Sequence, residues 1–90
     1  MTTPSSAPSE MAFFSLLVRT GSLSATAREL NMTTPAASKR LSQMELRLGV
    51  QLMHRTTRRM RLTPEGELYL THARRILADI DDMERQVGSA

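Results

Sequence analysis

Cysteine is absent from this 90-residue chain, which removes disulfide frameworks and thiol nucleophiles together and fits a reducing compartment. Histidine occurs only at His54 and His72, with no H-E-x-x-H spacing, so a zinc site has no support. Asp79, Asp81, Asp82 and Glu84 crowd together in sequence. On a helix, however, they spread around the axis and lack the glycine-bearing loop of calcium sites, so they read as a solvated face. No P-loop, G-x-G-x-x-G or G-x-S-x-G motif occurs. No basic segment followed by an apolar run opens the chain, and no stretch approaches the roughly 20 apolar residues of a membrane span. These absences argue against an enzyme, a metal site and a membrane protein; the chain reads as soluble and cytoplasmic, with no cofactor of its own.

What is present is an uneven charge. The net charge is +3, but residues 28–61 hold eight Lys/Arg against two Glu, whereas residues 62–90 hold three Arg against six Asp/Glu. The middle therefore suits an anionic partner and the end does not. Ninety residues make one small domain with a thin core, so stabilisation by association is expected.

The segment 33–48, TTPAASKRLSQMELRL, organises the rest. Thr-Thr-Pro is a helix start, because a Thr hydroxyl caps free N–H groups and Pro is tolerated in the first turn. Gly49 is the stop. Ala37, Leu41, Met44 and Leu48 recur at spacings of four, three and four, and so define a face to bury. The opposite side carries Pro35, Ala36, Lys39 and Gln43, with Arg40 and Ser42 at its edges. A face that is small, then basic and amide-bearing, can approach a DNA groove closely; an ordinary amphipathic helix with a solvated back fits the same residues.

Residues 1–9, MTTPSSAPS, hold only Met1 and Ala7 as apolar residues and read as a disordered leader. Glu10 to Thr20 is densely apolar, places Phe14, Leu17 and Val18 on one helical face, and stops at Gly21. Ser22 caps a short helix in which Leu23, Ala27 and Leu30 recur. Asn31-Met32 then provides a turn only a few residues long, the spacing of a helix-turn-helix. After Gly49 two short extended runs flank Thr57-Arg58, giving a wing over 52–62 anchored by Leu52 and Leu62. Arg55, Arg58, Arg59 and Arg61 all lie in it. Guanidinium groups so close together repel unless solvated or facing an anion such as a phosphate backbone.

Thr63-Pro64-Glu65 begins another helix, which runs to Gly88 without a further proline. Along it Tyr69, Ala73, Ile76, Ile80, Met83 and Val87 are spaced four, three, four, three and four, a heptad seam. A domain this small cannot cover such a seam, so a second copy is the expected partner. A module that binds another protein through the seam, its basic face merely solubilising, is the competing reading.

Phe14–Leu30 (FSLLVRTGSLSATAREL), Met32–Lys39 (MTTPAASK), Leu48–Thr56 (LGVQLMHRT) and Arg61–Gly66 (RLTPEG) together closely resemble the N-terminal DNA-binding region of LysR-type transcriptional regulators. The resemblance covers about residues 10–88. It implies a mainly α winged helix-turn-helix at 10–62, with three helices and a two-stranded wing, followed by a dimerising linker helix at 63–88. The effector-binding domain that follows in the family is absent from this chain. The implied partners are double-stranded DNA and a second copy of the chain, with a tetramer as a further state open to the full-length protein. A small-molecule effector is implied for the full-length protein alone. Carried over by position, Thr33, Thr34, Pro35, Ser38 and Lys39 fall where the family meets bases and nearby phosphates. Ser22, Ser24, Arg55 and Arg58 fall at backbone-contacting positions, and the seam from Tyr69 to Val87 at the dimer interface. Two departures stand out. The family's usual Gln is Thr34 here and its usual Arg is Lys39, so the bidentate amide and guanidinium contacts to adenine and guanine are both lost.

Overall fold

A computed structural model describes residues 6–55 and 60–89. The order is α1 (Ser6–Thr20), α2 (Leu23–Glu29), α3 (Thr34–Leu48), β1 (Met53–Arg55), β2 (Met60–Leu62) and α4 (Pro64–Ser89). The strands pair antiparallel in the register Met53↔Leu62, His54↔Arg61 and Arg55↔Met60. Three helices, a two-stranded wing and a long final helix are the expected architecture. The turn expected at Thr57-Arg58 lies outside the described residues. Helix α1 begins at Ser6, inside the stretch 1–9 that composition alone marks as a leader. Pro8 falls in its first turn, where a missing N–H costs nothing. Contacts from α3 also hold this end: Arg40 donates to the Ser9 hydroxyl at 2.5 Å and Arg47 pairs with Glu10.

The core gathers Phe13, Phe14 and Leu17 of α1, Ala27 of α2, Ala37, Leu41 and Met44 of α3, Leu52 and Met53 at the wing, and Leu70 of α4. Burying a side chain such as Phe14 or Leu17 stabilises the fold by roughly 1.5–3 kcal/mol each. Leu48 and Leu30, though in register with their buried neighbours, are 39% and 41% exposed. Leu48 is the last residue of α3 and Leu30 the C-cap of α2, where the chain turns away from the helix axis. Thr26 is fully buried instead: its hydroxyl donates to the Ser22 carbonyl at 2.9 Å and shares a 2.8 Å hydrogen bond with the Thr20 hydroxyl.

Helix α4 packs chiefly on α1. The Tyr69 ring meets Phe14 edge-on at 5.1 Å, and Ala73 is 1% exposed. Thr63, itself buried, locks the start of α4 to the wing. Its hydroxyl accepts from the Gly66 N–H at 2.9 Å and donates to the Gln51 carbonyl at 2.5 Å, while its own N–H donates to the Leu52 carbonyl at 3.1 Å. Burial, with Glu10 adding to it and Arg47 opposing, raises the Tyr69 phenol above its ordinary value of 10.0. The folded state thus favours the neutral ring. That stabilisation is complete below the unfolded value and is lost as pH rises through the folded one. Thermal melting should therefore fall more steeply above about pH 10 in the parent than in Tyr69→Phe; parallel melts across that range check it.

Candidate nucleic-acid interface

The two helices of the helix-turn-helix are set by their ends. Ser22, extended at φ −151° and ψ 149°, caps α2 by accepting from the Ala25 N–H at 3.0 Å. The turn after α2 is a Schellman motif: Asn31 is left-handed at φ 55° and donates to Arg28, and Met32 donates back to the Ala27 carbonyl at 2.9 Å. Asparagine tolerates that conformation better than most residues, which explains its place here. Thr33 then caps α3 by accepting from the Ala36 N–H at 3.2 Å. Helices α2 and α3 pack on each other, with Ala27 buried in the core and Ala25 half-buried.

This arrangement leaves the first turns of α3 uncovered. Thr33, Thr34, Pro35 and Lys39 are exposed and Ser38 is half-buried. Thr34 and Ser38, and likewise Pro35 and Lys39, stand one turn apart and so make one surface. Ser24 is exposed beside it; Ser22 is half-buried, its hydroxyl 3.4 Å from that of Ser24. From Met32 to Gln43 there is no acidic residue, so the positive end of the helix dipole and the Lys39 ammonium act together on an approaching anion.

In the wing Arg55 is paired within the chain, its Nη2 donating to Oε1 of Glu45 at 2.6 Å while 39% of its side chain is exposed. The same carboxylate accepts from the Leu52 and Met53 N–H groups at 2.8 and 3.2 Å through Oε2, and its side chain is only 10% exposed. Glu45 is the residue the sequence reading missed. A signal existed, since Glu45 lies one turn beyond Leu41 and beside Met44, both buried, and a carboxylate so placed must find donors. His54 and Arg61, paired across the strands, are the exposed residues of the wing's outer face. Arg58 lies outside the described residues.

The seam on α4 divides in two. Ala73 is enclosed by this domain and Tyr69 is half-buried on Phe14, and both line an apolar groove with Leu48, Val50, Leu68 and Ile76. The physical reason is that the first three turns of α4 dock on α1. Beyond them Ile76, Met83 and Val87 are 38%, 52% and 69% exposed and Ile80 is half-buried. Leu68, not counted in the seam, is 61% exposed and lines one groove with Ile76. Among the described residues no helix is long and apolar enough to cross a membrane.

Residues 8–67 match the family model described as bacterial regulatory helix-turn-helix protein, lysR family. An HTH-type transcriptional regulator of Xanthomonas campestris pv. campestris is 39% identical over 75 residues, covering 83% of this chain and 22% of that protein. The chain spans between 22% and 26% of the length of such curated relatives. Among solved structures, the BenM DBD in complex with benA site 1 DNA is similar with a TM-score of 0.85 and 27% identity, over 91% of this chain and 92% of that one. Vibrio fischeri DarR in complex with DNA gives a TM-score of 0.84 at 27% identity, over 99% of this chain and 30% of that one. With the helix-turn-helix, the wing and the long final helix in the same order and geometry, the chain belongs to the LysR family of bacterial regulatory helix-turn-helix proteins.

Proposed function

We propose that this chain is the DNA-binding part of a bacterial transcription regulator and not an enzyme, and that it works in the cytoplasm as a homodimer on double-stranded DNA. The start of α3 enters the major groove, with Thr33, Thr34, Pro35, Ser38 and Lys39 toward the bases and nearby phosphates. Ser22 and Ser24 meet the backbone beside it, and the wing, with Arg58, meets the backbone further out. The second copy joins along the uncovered half of α4, through Ile76, Ile80, Met83 and Val87, with Leu68 added. Two α3 helices then reach successive major grooves on one side of the duplex. In organisation, residues 10–62 form the reading unit and 63–88 the linker helix.

The observation that carries this reading is the surface at the start of α3: small, exposed, basic and without a carboxylate from Met32 to Gln43. The structures of BenM DBD and DarR, which it resembles closely, are complexes with DNA. The test is selection of preferred sites from genomic fragments, followed by titration of those sites and of random duplex. Lys39→Ala should cost preferred sites roughly 1–3 kcal/mol and random duplex clearly less. Equal weakening of every site would make Lys39 a phosphate ligand only. Absence of salt-sensitive duplex binding by the parent would sink the proposal.

A further inference from the structure

We propose that Glu45 is the positioning residue that sets the wing against the recognition helix, and that Arg55 serves it as an internal strut rather than as a ligand of DNA phosphate. The proposal rests on the DNA-binding reading above. It begins from where the carboxylate lies. Glu45 is in the last turn of the helix whose first turns carry Thr34 and Lys39, and it accepts from Leu52, Met53 and Arg55, within four consecutive residues entering the wing. One side chain thus ties the strand to the reading helix. The neighbouring bonds from Thr63 to Gln51 and Leu52 tie the same stretch to α4.

Strand alternation explains why Arg55 and not another arginine takes this part. Side chains along a strand point to opposite faces in turn. Met53 is buried, His54 is exposed beside its cross-strand partner Arg61, and Arg55, with 39% of its side chain exposed, returns to the Met53 side and reaches Glu45 of α3. A phosphate nearing that guanidinium would meet the Glu45 carboxylate as well. The pair is neutral in sum, and a neutral pair releases no counterion from DNA. Its contribution to binding is therefore rigidity: a wing held at one distance and angle from α3 reaches the backbone without the ordering cost of finding it.

The experiment titrates the 90-residue chain with a labelled random-sequence duplex over a series of salt concentrations, for the parent, Glu45→Gln, Arg55→Ala and the double variant. Glutamine keeps an oxygen for the Leu52 and Met53 N–H groups but gives up the charge that holds Arg55. Each single variant should bind several-fold more weakly at high salt, with the slope of log affinity on log salt unchanged in Arg55→Ala and steeper in Glu45→Gln, whose guanidinium is left free to meet phosphate. The double variant should be no weaker than the weaker single. A slope lowered by about 0.9 per subunit in Arg55→Ala, with Glu45→Gln binding as the parent does, overturns the proposal and makes Arg55 a phosphate ligand. A second measurement needs no DNA: amide exchange at Leu52 and Met53 should quicken in Glu45→Ala while core amides such as that of Leu41 keep their protection. Unchanged exchange at both positions also overturns the proposal. A parent that binds no duplex at any salt would strike the DNA-binding reading instead, with the exchange result still deciding whether the strut exists.

Discussion

Gly66→Ala is expected to lower the melting temperature of the domain by ten degrees or more, even though alanine is the better helix former by about 1 kcal/mol. A Cβ at this position would lie 2.0 Å from the Leu52 carbonyl oxygen, 3.0 Å from its carbon and 3.1 Å from Cδ2 of Leu62. The obstacle is backbone, so no rotamer relieves it. Either α4 lifts from the wing or the chain at Leu52 moves. Both distort the bonds that Thr63 makes to Gln51, Leu52 and Gly66. Overpacking of this kind costs about 1–3 kcal/mol, and each hydrogen bond lost from a buried group about 1 kcal/mol more. A net loss near 3 kcal/mol is a large share of the roughly 5–15 kcal/mol by which such domains are stable. At about 4–8 °C per kcal/mol the shift is unmistakable. Gly88→Ala is the matched control, since nothing lies within 4 Å of its Cβ position and it too is helical. Paired thermal melts decide the matter; Gly66→Ala melting at or above the parent would refute the close approach.

Gly66 also shows where a sequence stops speaking. Read along the chain, it is a glycine interrupting a long helical pattern; its reason is a carbonyl 14 positions earlier. The elements themselves were legible because their signals are local: Ser22 and Thr33 cap, Gly21 and Gly49 are left-handed stops at φ 79° and 73°, and Pro64 starts α4. The exposed start of α3 was legible for the same reason. What could not be read was how the basic residues would be partnered. Of the eight Lys/Arg between 28 and 61, Arg47 pairs with Glu10, Arg55 with Glu45, and Arg40 bonds Ser9 while lying 5.2 Å over the Phe13 ring. Their partners are distant in sequence or, for Glu45, set by the fold of the wing. Among the described residues, charge counted along the chain therefore overstates what is left without an internal partner. The heptad seam of α4 likewise meets this domain's own core first, at Tyr69 and Ala73. Periodicity marks an apolar stripe but does not say which length of it this domain covers itself.

That division of α4 gives the second large effect. Met83→Asp with Val87→Asp should convert the proposed homodimer to monomer at micromolar concentration and leave the thermal melt of the helix-turn-helix unit unchanged. Both side chains are mostly exposed on a 26-residue helix, about 39 Å long at 1.5 Å per residue, of which only the first turns rest on α1. In a dimer, two such side chains from each copy contribute roughly 1.5–3 kcal/mol apiece when buried. The aspartates remove that gain. They also add charge beside Asp79, Asp81, Asp82 and Glu84, where Arg85 is already shared between Asp81 and Asp82. Sedimentation should show the change in mass directly. On DNA the consequence is larger, because joined subunits present the second reading helix at a high effective concentration. Losing the joint should weaken binding to a two-half-site duplex by about 10²–10⁴-fold, while binding to a single half-site stays as in the parent. A variant that remains fully dimeric would place the interface elsewhere, on the apolar surface of Leu48, Val50 and Leu68, because Met83 and Val87 would then have been exposed to no purpose in assembly.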